Sequence, residues 1–486
     1  MQRRYLSYTT RLLSKPLKVA IVGTGPGGFY TAHHLLNKSS PDVKLDLDFF
    51  EKLPTPYGLS RYGVAPDHPE VKNCEDHMNA IMEDFGGDGN GRHKVRFLGN
   101  VEIGKDVSLK DLEKNYNSIV LAYGCTSADN KLNIPGADLP AVVPARQFVN
   151  WYNGHPDYYA ETNKYIPPPL DKIKTVSIIG NGNVALDVAR ILLADPKEHW
   201  SKTDISTEAQ ELLERSTVEH VRIVARRGIL ESAFSNKEIR ELFELPVKFI
   251  PLDKELLDKL DVKKLGRVDK RRVSIIEKYS NAPPKESARS WSLEYYKSPV
   301  EFITGENSLL KATKFVKNKP ADDALLPHKV VATDEHVTED NELAILSIGY
   351  QGSPLDGFEE LGIWYDGNKL HNKNGRVLST ESKGRDEHNA VFKPGWYAAG
   401  WIKNGPKGAI ATTMMDSFDT ADNILEDLAN DKYIKLADDQ AQLELPNAID
   451  WAQWKKLNDY ELQRGEELGK LRYKVCNKNE MLDKMY

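Results

Sequence analysis

Two glycine-rich turns, each set between an apolar run and an amphipathic pattern, constrain this chain more than any other feature. The first reads Gly23-Thr-Gly25-Pro-Gly27-Gly28 and follows Val19-Ala-Ile-Val22, a continuous apolar run of the kind buried on both faces of a parallel sheet. A helical pattern over 29–36 and a second strand pattern over 45–51 come next. The other turn reads Gly180-Asn181-Gly182-Asn183-Val184-Ala185. It lies between a strand pattern at 175–179 and a helical one at 184–193, with a further strand at 221–225. In G-x-G-x-x-G/A the first glycine allows the tight turn, the second lets a pyrophosphate approach, and the third lets helix and strand pack closely. The helix N-terminus then offers free N–H groups and positive dipole to the phosphates. A glycine triple alone is a weak signal; the strand before it and the helix after it give it force. The expected fold is therefore α/β, with two Rossmann-like, doubly wound dinucleotide-binding domains.

The strands after the two helices end differently. Glu51 closes the first, placed to accept hydrogen bonds from ribose hydroxyls. The second runs into Arg226-Arg227, which suits the 2′-phosphate of NADP through charge-assisted contacts. The bland reading of that pair is two solvated loop arginines. The better reading makes the first site one for FAD and the second one for NADPH. Such a pair brings two reacting atoms to about 3–3.5 Å and requires no covalent nucleophile.

At 486 residues the chain is too long for one ordinary domain. A stretch with Pro135, Pro140, Pro144 and Pro167-Pro168-Pro169 reads as a junction. After it the second unit runs to a strand at 343–348, interrupted by a charged, less periodic stretch over 252–297. Gly395-Trp-Tyr-Ala-Ala-Gly-Trp401 and Gly405-Pro-Lys-Gly408 then read as a return to the first unit. The expectation is an FAD-binding domain in two parts, 17–125 and 346–486, with an NADP-binding domain, 126–345, inserted between them.

Three further features narrow the function. The formal charge of -6 argues against wholesale nucleic-acid binding, and no apolar run approaches the roughly 20 residues of a membrane span. Cys74, Cys125 and Cys476 are the only cysteines and form no C-x-x-C pair. No metal site, iron–sulfur cluster or dithiol redox pair is expected from them, so a bound organic cofactor must carry any electrons. Residues 1–16 hold Arg3, Arg4, Arg11 and Lys15 and no acid. This is the composition of a mitochondrial transit peptide, with a disordered basic tail as the alternative.

The motifs Lys18-Val-Ala-Ile-Val-Gly-Thr-Gly-Pro-Gly-Gly-Phe-Tyr-Thr-Ala32, Arg61-Tyr-Gly-Val-Ala-Pro-Asp-His68-Pro, Gly182-Asn-Val-Ala-Leu-Asp187-Val-Ala-Arg190 and Gly405-Pro-Lys-Gly408 make the chain resemble mitochondrial NADPH:adrenodoxin (ferredoxin) reductases, over nearly its whole length. The resemblance implies electron transfer from NADPH through FAD to a [2Fe-2S] ferredoxin in the mitochondrial matrix. It also implies a monomer without a transmembrane segment, associated at most peripherally with the inner membrane. By position it implies FAD contacts at Gly27, Glu51, Leu59 and Val101. Trp401 and Gly408-Ala409-Ile410 fall around the flavin and nicotinamide. Asn181 to Val184, Arg226, Arg227 and Glu238 fall on the NADP contacts. Gly27 stands where the family often has alanine, and 86–91 looks inserted.

The resemblance further places His68 and Asp187 as a catalytic pair near the flavin. The residues give partial support: Asp187 lies at the edge of the Val184/Val188/Ile191 stripe and needs a partner, which His68 could supply. The alternative is an interface carboxylate beside an ordinary turn histidine. Arg240, Arg267 and Arg271 match docking positions for an acidic ferredoxin, although Asp269 stands where related chains tend to carry a base. A plain solvated face is the rival reading. Other function classes weighed are a disulfide reductase, a monooxygenase, an electron-input module and a non-catalytic NADP-binding scaffold.

Overall fold

The computed structural model describes residues 15–86, 91–125, 128–159, 165–307, 309–321, 328–406, 408, 410–437 and 443–486. Most of the proposed presequence, the centre of the 86–91 loop and Ala409 lie outside the described residues.

Each glycine turn sits at the carboxyl end of an inner strand of its own parallel sheet. In the first sheet, Leu17–Val22 lies between Ser118–Leu121 and Leu45–Glu51, with Lys94–Gly99 beyond the latter. Phe392–Ala398 pairs in parallel with Ser118–Leu121, and two short antiparallel strands, Arg376–Leu378 and Asn372–Lys373, extend that edge. The chain does return to the first sheet after building the second. In the second, Thr175–Ile179 lies between Leu343–Leu346 and His220–Val224. Val142–Pro144, Ser290–Glu294 and Lys248–Ile250 complete six parallel strands. In each sheet the chain first builds outward on one side of this inner strand and later returns to the other side; such a reversal leaves a crevice at the carboxyl ends of the strands, where ligands of open α/β sheets bind.

The inner strands are apolar because both faces are covered. Val19, Ala20 and Ile21 are fully buried, and the helix Pro26–Lys38 packs on one face through Phe29, Ala32 and Leu35. That helix starts earlier than the apolar pattern at 29–36, since proline is well tolerated in the first helical turn. The C-terminal helices Trp451–Glu467 and Lys478–Met485 complete this core with Trp454, Leu457, Met481 and Met485.

Two stretches with weak periodicity hold structure of their own. The proline-rich stretch contains Pro144, which caps the helix Ala145–Tyr152, whose Phe148, Trp151 and Tyr152 lie in the core of the second unit. The charged stretch at 252–297 holds the helix Arg267–Ser280 and the strand Ser290–Glu294. Arg272 on that helix turns inward beside Val273, Ile275 and Ile276, so charge masks the apolar stripe. A three-stranded antiparallel sheet, Lys297–Thr304, Leu310–Pro320 and Val330–Asp340, adjoins the second unit. No helix among the described residues is long and apolar enough to cross a membrane.

Candidate functional site

Within each turn the glycines are required for different reasons. Gly23 has φ +106°, and an added Cβ would lie 2.5 Å from the Ala122 carbonyl oxygen. Gly180 repeats this with φ +115° and a 2.1 Å approach to the Ser347 carbonyl oxygen. Gly28 cannot gain a side chain either, since its Cβ would fall 2.1 Å from the Gly23 carbonyl oxygen. Ala185, at the equivalent place in the second turn, is fully buried with its methyl accommodated. The middle glycines are unlike these. Beside Gly25 the nearest atom is 4.0 Å from an added Cβ, and beside Gly182 nothing lies within 4 Å. Protein packing does not demand glycine at either position, and the open space beside each leaves room for a phosphate to approach the backbone.

Both turns open onto one cavity of about 670 Å³. Gly23, Gly25, Gly27, Glu51, Leu59 and Val101 line it from the first unit, and Asn183, Val184, Asp187 and Glu238 from the second. His68, Trp401, Gly408 and Ile410 also face it. Gly28 is spent on helix packing, and Asn181, Gly182, Arg226 and Arg227 stand outside the wall.

The first turn is braced on several sides. Glu51 is 7% exposed; its Oε2 accepts from the Thr24 hydroxyl (2.6 Å) and N–H (3.2 Å), and its Oε1 from the Leu53 N–H (3.1 Å). A carboxylate, with about four lone-pair sites, retains one for a hydroxyl donor after three such bonds. The Val101 N–H binds the Glu51 carbonyl (2.9 Å). Gly27 meets Gly400, whose Cα would lie 3.0 Å from an added Cβ, and this brings Trp401 to the cavity.

In the second unit, Asn183 Oδ1 accepts from the Ser235 N–H (2.7 Å). Ser235 in turn caps the helix Asn236–Glu244, which carries Glu238 to the cavity and holds Arg240 half-buried. Arg226 is exposed and Arg227 half-buried. Their carbonyls are held by Asn318 Nδ2 and the Tyr296 N–H, and neither guanidinium has an ion pair among the described residues. Arg267 and Arg271 are exposed one turn apart on Arg267–Ser280. The neighbouring helix ends are tied by Asn236 Nδ2 to the Val268 carbonyl (3.1 Å), which puts Arg240 on the adjacent helix.

His68 and Asp187 are brought together with Glu238, their nearest polar atoms within 4.8 Å of one another. They are not each other's hydrogen-bond partners. Asp187 Oδ1 accepts from Arg190 Nη2 (2.9 Å), while His68 Nε2 meets Glu241 Oε2 (2.7 Å). Burial pushes the Asp187 carboxyl up to about 7, the Arg190 charge opposing and Glu238 reinforcing the rise. Asp67 behaves oppositely. Burial would raise it, but hydrogen bonds from His199 and Arg190 hold it well below the usual carboxylate range. Arg190 was not expected as a site residue. A helical position three after Asp187 was the available signal, but nothing local points to Asp67.

Two Rossmann-like units sharing one cavity define an oxidoreductase of the two-dinucleotide type. In keeping with this, residues 17–248 match the family model described as pyridine nucleotide-disulphide oxidoreductase. The solved Mycobacterium tuberculosis FprA in complex with NADPH is 32% identical, with a TM-score of 0.84 over 97% of this chain and all of that one. The probable mitochondrial NADPH:adrenodoxin oxidoreductase of Saccharomyces cerevisiae is 40% identical over 95% of both chains. The mitochondrial human enzyme is 36% identical, over 96% of this chain and 92% of its own. The chain belongs to the NADPH:adrenodoxin oxidoreductase family.

Proposed function

We propose that the protein is an FAD-dependent NADPH:ferredoxin oxidoreductase, passing electrons from NADPH to a [2Fe-2S] ferredoxin. The observation that carries this reading is the opening of both glycine cradles onto one cavity. Relatives named as NADPH:adrenodoxin oxidoreductases, matched over more than nine-tenths of both chains, support it. Residues 17–125 and 346–486 serve the flavin and 126–345 the nicotinamide nucleotide. Gly23, Gly25, Gly27 and Gly28 shape the first cradle, Glu51 holds ribose hydroxyls, and Leu59, Val101, Trp401, Gly408, Ala409 and Ile410 flank the ring system. Asn181, Gly182, Asn183 and Val184 shape the second cradle, with Glu238 at the cavity and Arg226 and Arg227 on the 2′-phosphate. When bound, FAD supplies a two-electron acceptor able to release electrons singly.

The chain's own part is to hold two nucleotides in register and to keep water from their reacting ends. His68 and Asp187 hold a proton site at the cavity wall, with Asp187 carrying the proton up to neutral pH. Arg240, Arg267 and Arg271 receive the acidic ferredoxin. The protein belongs in the mitochondrion, as its yeast and vertebrate relatives are named. We place it in the matrix, directed there by residues 1–16, as a monomer at most peripherally bound to the inner membrane.

An anaerobic NADPH titration, followed by addition of a [2Fe-2S] ferredoxin, tests the reading. The flavin absorbance bleaches on titration, and the cluster absorbance then falls as electrons pass on. A protein that binds NADPH without bleaching, or bleaches without reducing any ferredoxin, has another function.

A further inference from the structure

Arg190 is 1% exposed and sits where the two units meet. It belongs to the helix Asn183–Leu193, which begins at the second cradle. One edge of its guanidinium grips the first unit: Nε and Nη2 donate to the two oxygens of Asp67 at 2.9 and 3.0 Å. The other side holds carboxylates of its own unit, Glu238 Oε2 from Nη1 and Asp187 Oδ1 from Nη2, both at 2.9 Å. Asp67 is gripped a second time by His199 Nε2 (2.9 Å), again from the second unit. The turn carrying Asp67 also carries His68, which reaches Glu241. Two residues on, Glu70 pairs with Lys237 (2.9 Å).

Among the described residues these side-chain bonds of Asp67, His68 and Glu70 therefore end on the unit that holds the second cradle, and Asp187 and Glu238 at the cavity share the same cation. A buried ion cluster is weak evidence for stability, because desolvation consumes most of the Coulomb gain. A planar fork with five fixed donors is, however, well suited to fixing one geometry between two bodies. A displacement of about 1 Å between reacting atoms costs on the order of a hundredfold in rate, so such a joint matters most for hydride transfer.

We propose that Asp67 and Arg190 are a positioning pair, whose bidentate bridge sets how closely the second nucleotide unit approaches the first. Neither residue reacts. The pair acts through the spacing of the two cradles and through the Asp187 and Glu238 carboxylates that Arg190 holds at the cavity wall. The proposal rests on the function given above only for its rate measurement.

The test compares wild type with Asp67→Asn, which keeps the side-chain shape, and Arg190→Lys, which keeps the charge and loses the fork. Hydrogen exchange over residues 65–72 is measured without added nucleotide, NADP⁺ affinity by calorimetry, and flavin reduction by stopped flow at saturating NADPH. In both variants exchange over 65–72 quickens and the saturated rate falls about tenfold or more. In Asp67→Asn, which leaves the Arg190 bond to Glu238 in place, the NADP⁺ Kd moves less than about threefold, because the phosphate cradle is untouched. Wild-type exchange and rate in Asp67→Asn overturn the proposal, as does a loss of NADP⁺ affinity with the saturated rate intact. A wild-type protein that NADPH fails to bleach sinks the functional reading instead, while exchange over 65–72 still reports on the bridge.

Discussion

At Gly180 the backbone takes φ +115° and an added Cβ would lie 2.1 Å from the Ser347 carbonyl oxygen, whereas at Gly182 nothing lies within 4 Å. One glycine is imposed by the protein; at the other the surrounding protein leaves a side chain room. Substituting each by alanine should separate the two cases. Gly180→Ala must move the backbone around Ser347 and should lose roughly 1–3 kcal/mol of stability. Gly182→Ala should stay within about 0.5 kcal/mol of the parent and weaken NADP⁺ binding roughly tenfold, or about 1.4 kcal/mol. Thermal melts and calorimetric titration of both variants decide it. A destabilised Gly182→Ala with normal NADP⁺ affinity would mean that the cradle geometry has been misread. Residues of this kind were legible in the sequence, since turn, strand and helix lie within a dozen positions. Arg190 was not, because its partner Asp67 is 123 residues away and the sequence contains no trace of that proximity.

The helix Pro26–Lys38 ends against the loop that leads into Lys94–Gly99, and His93 is the joint. Its Nδ1 accepts from the Leu45 N–H (3.1 Å), at the start of the next strand, and its Nε2 faces Ser39 Oγ (3.3 Å) and Arg92 Nε (2.8 Å). Burial, reinforced by the Arg92 charge, lowers the imidazole to about 4. The unfolded chain therefore takes up a proton near pH 6.5 that the folded chain refuses until about pH 4. This stability is complete above pH 6.5 and drains as the pH falls toward 4, by at most about 1.4 kcal/mol per unit. Chemical denaturation at pH 7 and pH 5 should show a shallower acid loss in His93→Gln than in the parent; equal slopes would remove His93 from the account. The elements themselves were unequally readable. Strands covered on both faces announce themselves as apolar runs, and Thr175–Ile179 falls where its pattern lies. Arg267–Ser280 does not, because Arg272 is bound inward to Asp269 and the Leu230 carbonyl and interrupts the stripe. The strand Val330–Asp340 is mostly exposed and carries little apolar signal.

For the whole molecule, the two units must present one surface to a partner and hold one geometry toward each other. Arg271 is exposed on a helix that contributes nothing to the cavity wall. Arg271→Glu should raise the apparent KM for ferredoxin severalfold, by about 1 kcal/mol or more, and leave NADPH-dependent reduction of a small dye unchanged. Loss of both activities together would point to damaged folding. The geometry between units depends on a second joint, at Asp204. This carboxylate is 4% exposed and pairs with Lys72 from the first unit and with Lys474 (3.1 Å) from the C-terminal segment. Lys474 also donates to the carbonyls of Arg61 (2.9 Å) and Asn153 (3.1 Å), one in each unit. Around it the Leu471 N–H binds the Lys202 carbonyl (2.8 Å), and Lys470 Nζ binds that of Ile205 (3.1 Å). Burial alone would raise the Asp204 carboxyl, yet the Lys474 and Lys72 charges hold it well below the usual range. Removing it leaves two amines facing each other without a counter-charge. Asp204→Ala should therefore cost about 3–5 kcal/mol, and adding Lys72→Met should recover part of that loss, because Lys474 then no longer faces the Lys72 charge and keeps its two carbonyl partners. Urea denaturation of the single and double variants checks both. If Asp204→Ala unfolds at the parent's midpoint, or the double variant is worse than the single, the C-terminal segment does not brace the junction, and the contacts around Arg190 must hold the two cradles in register without it.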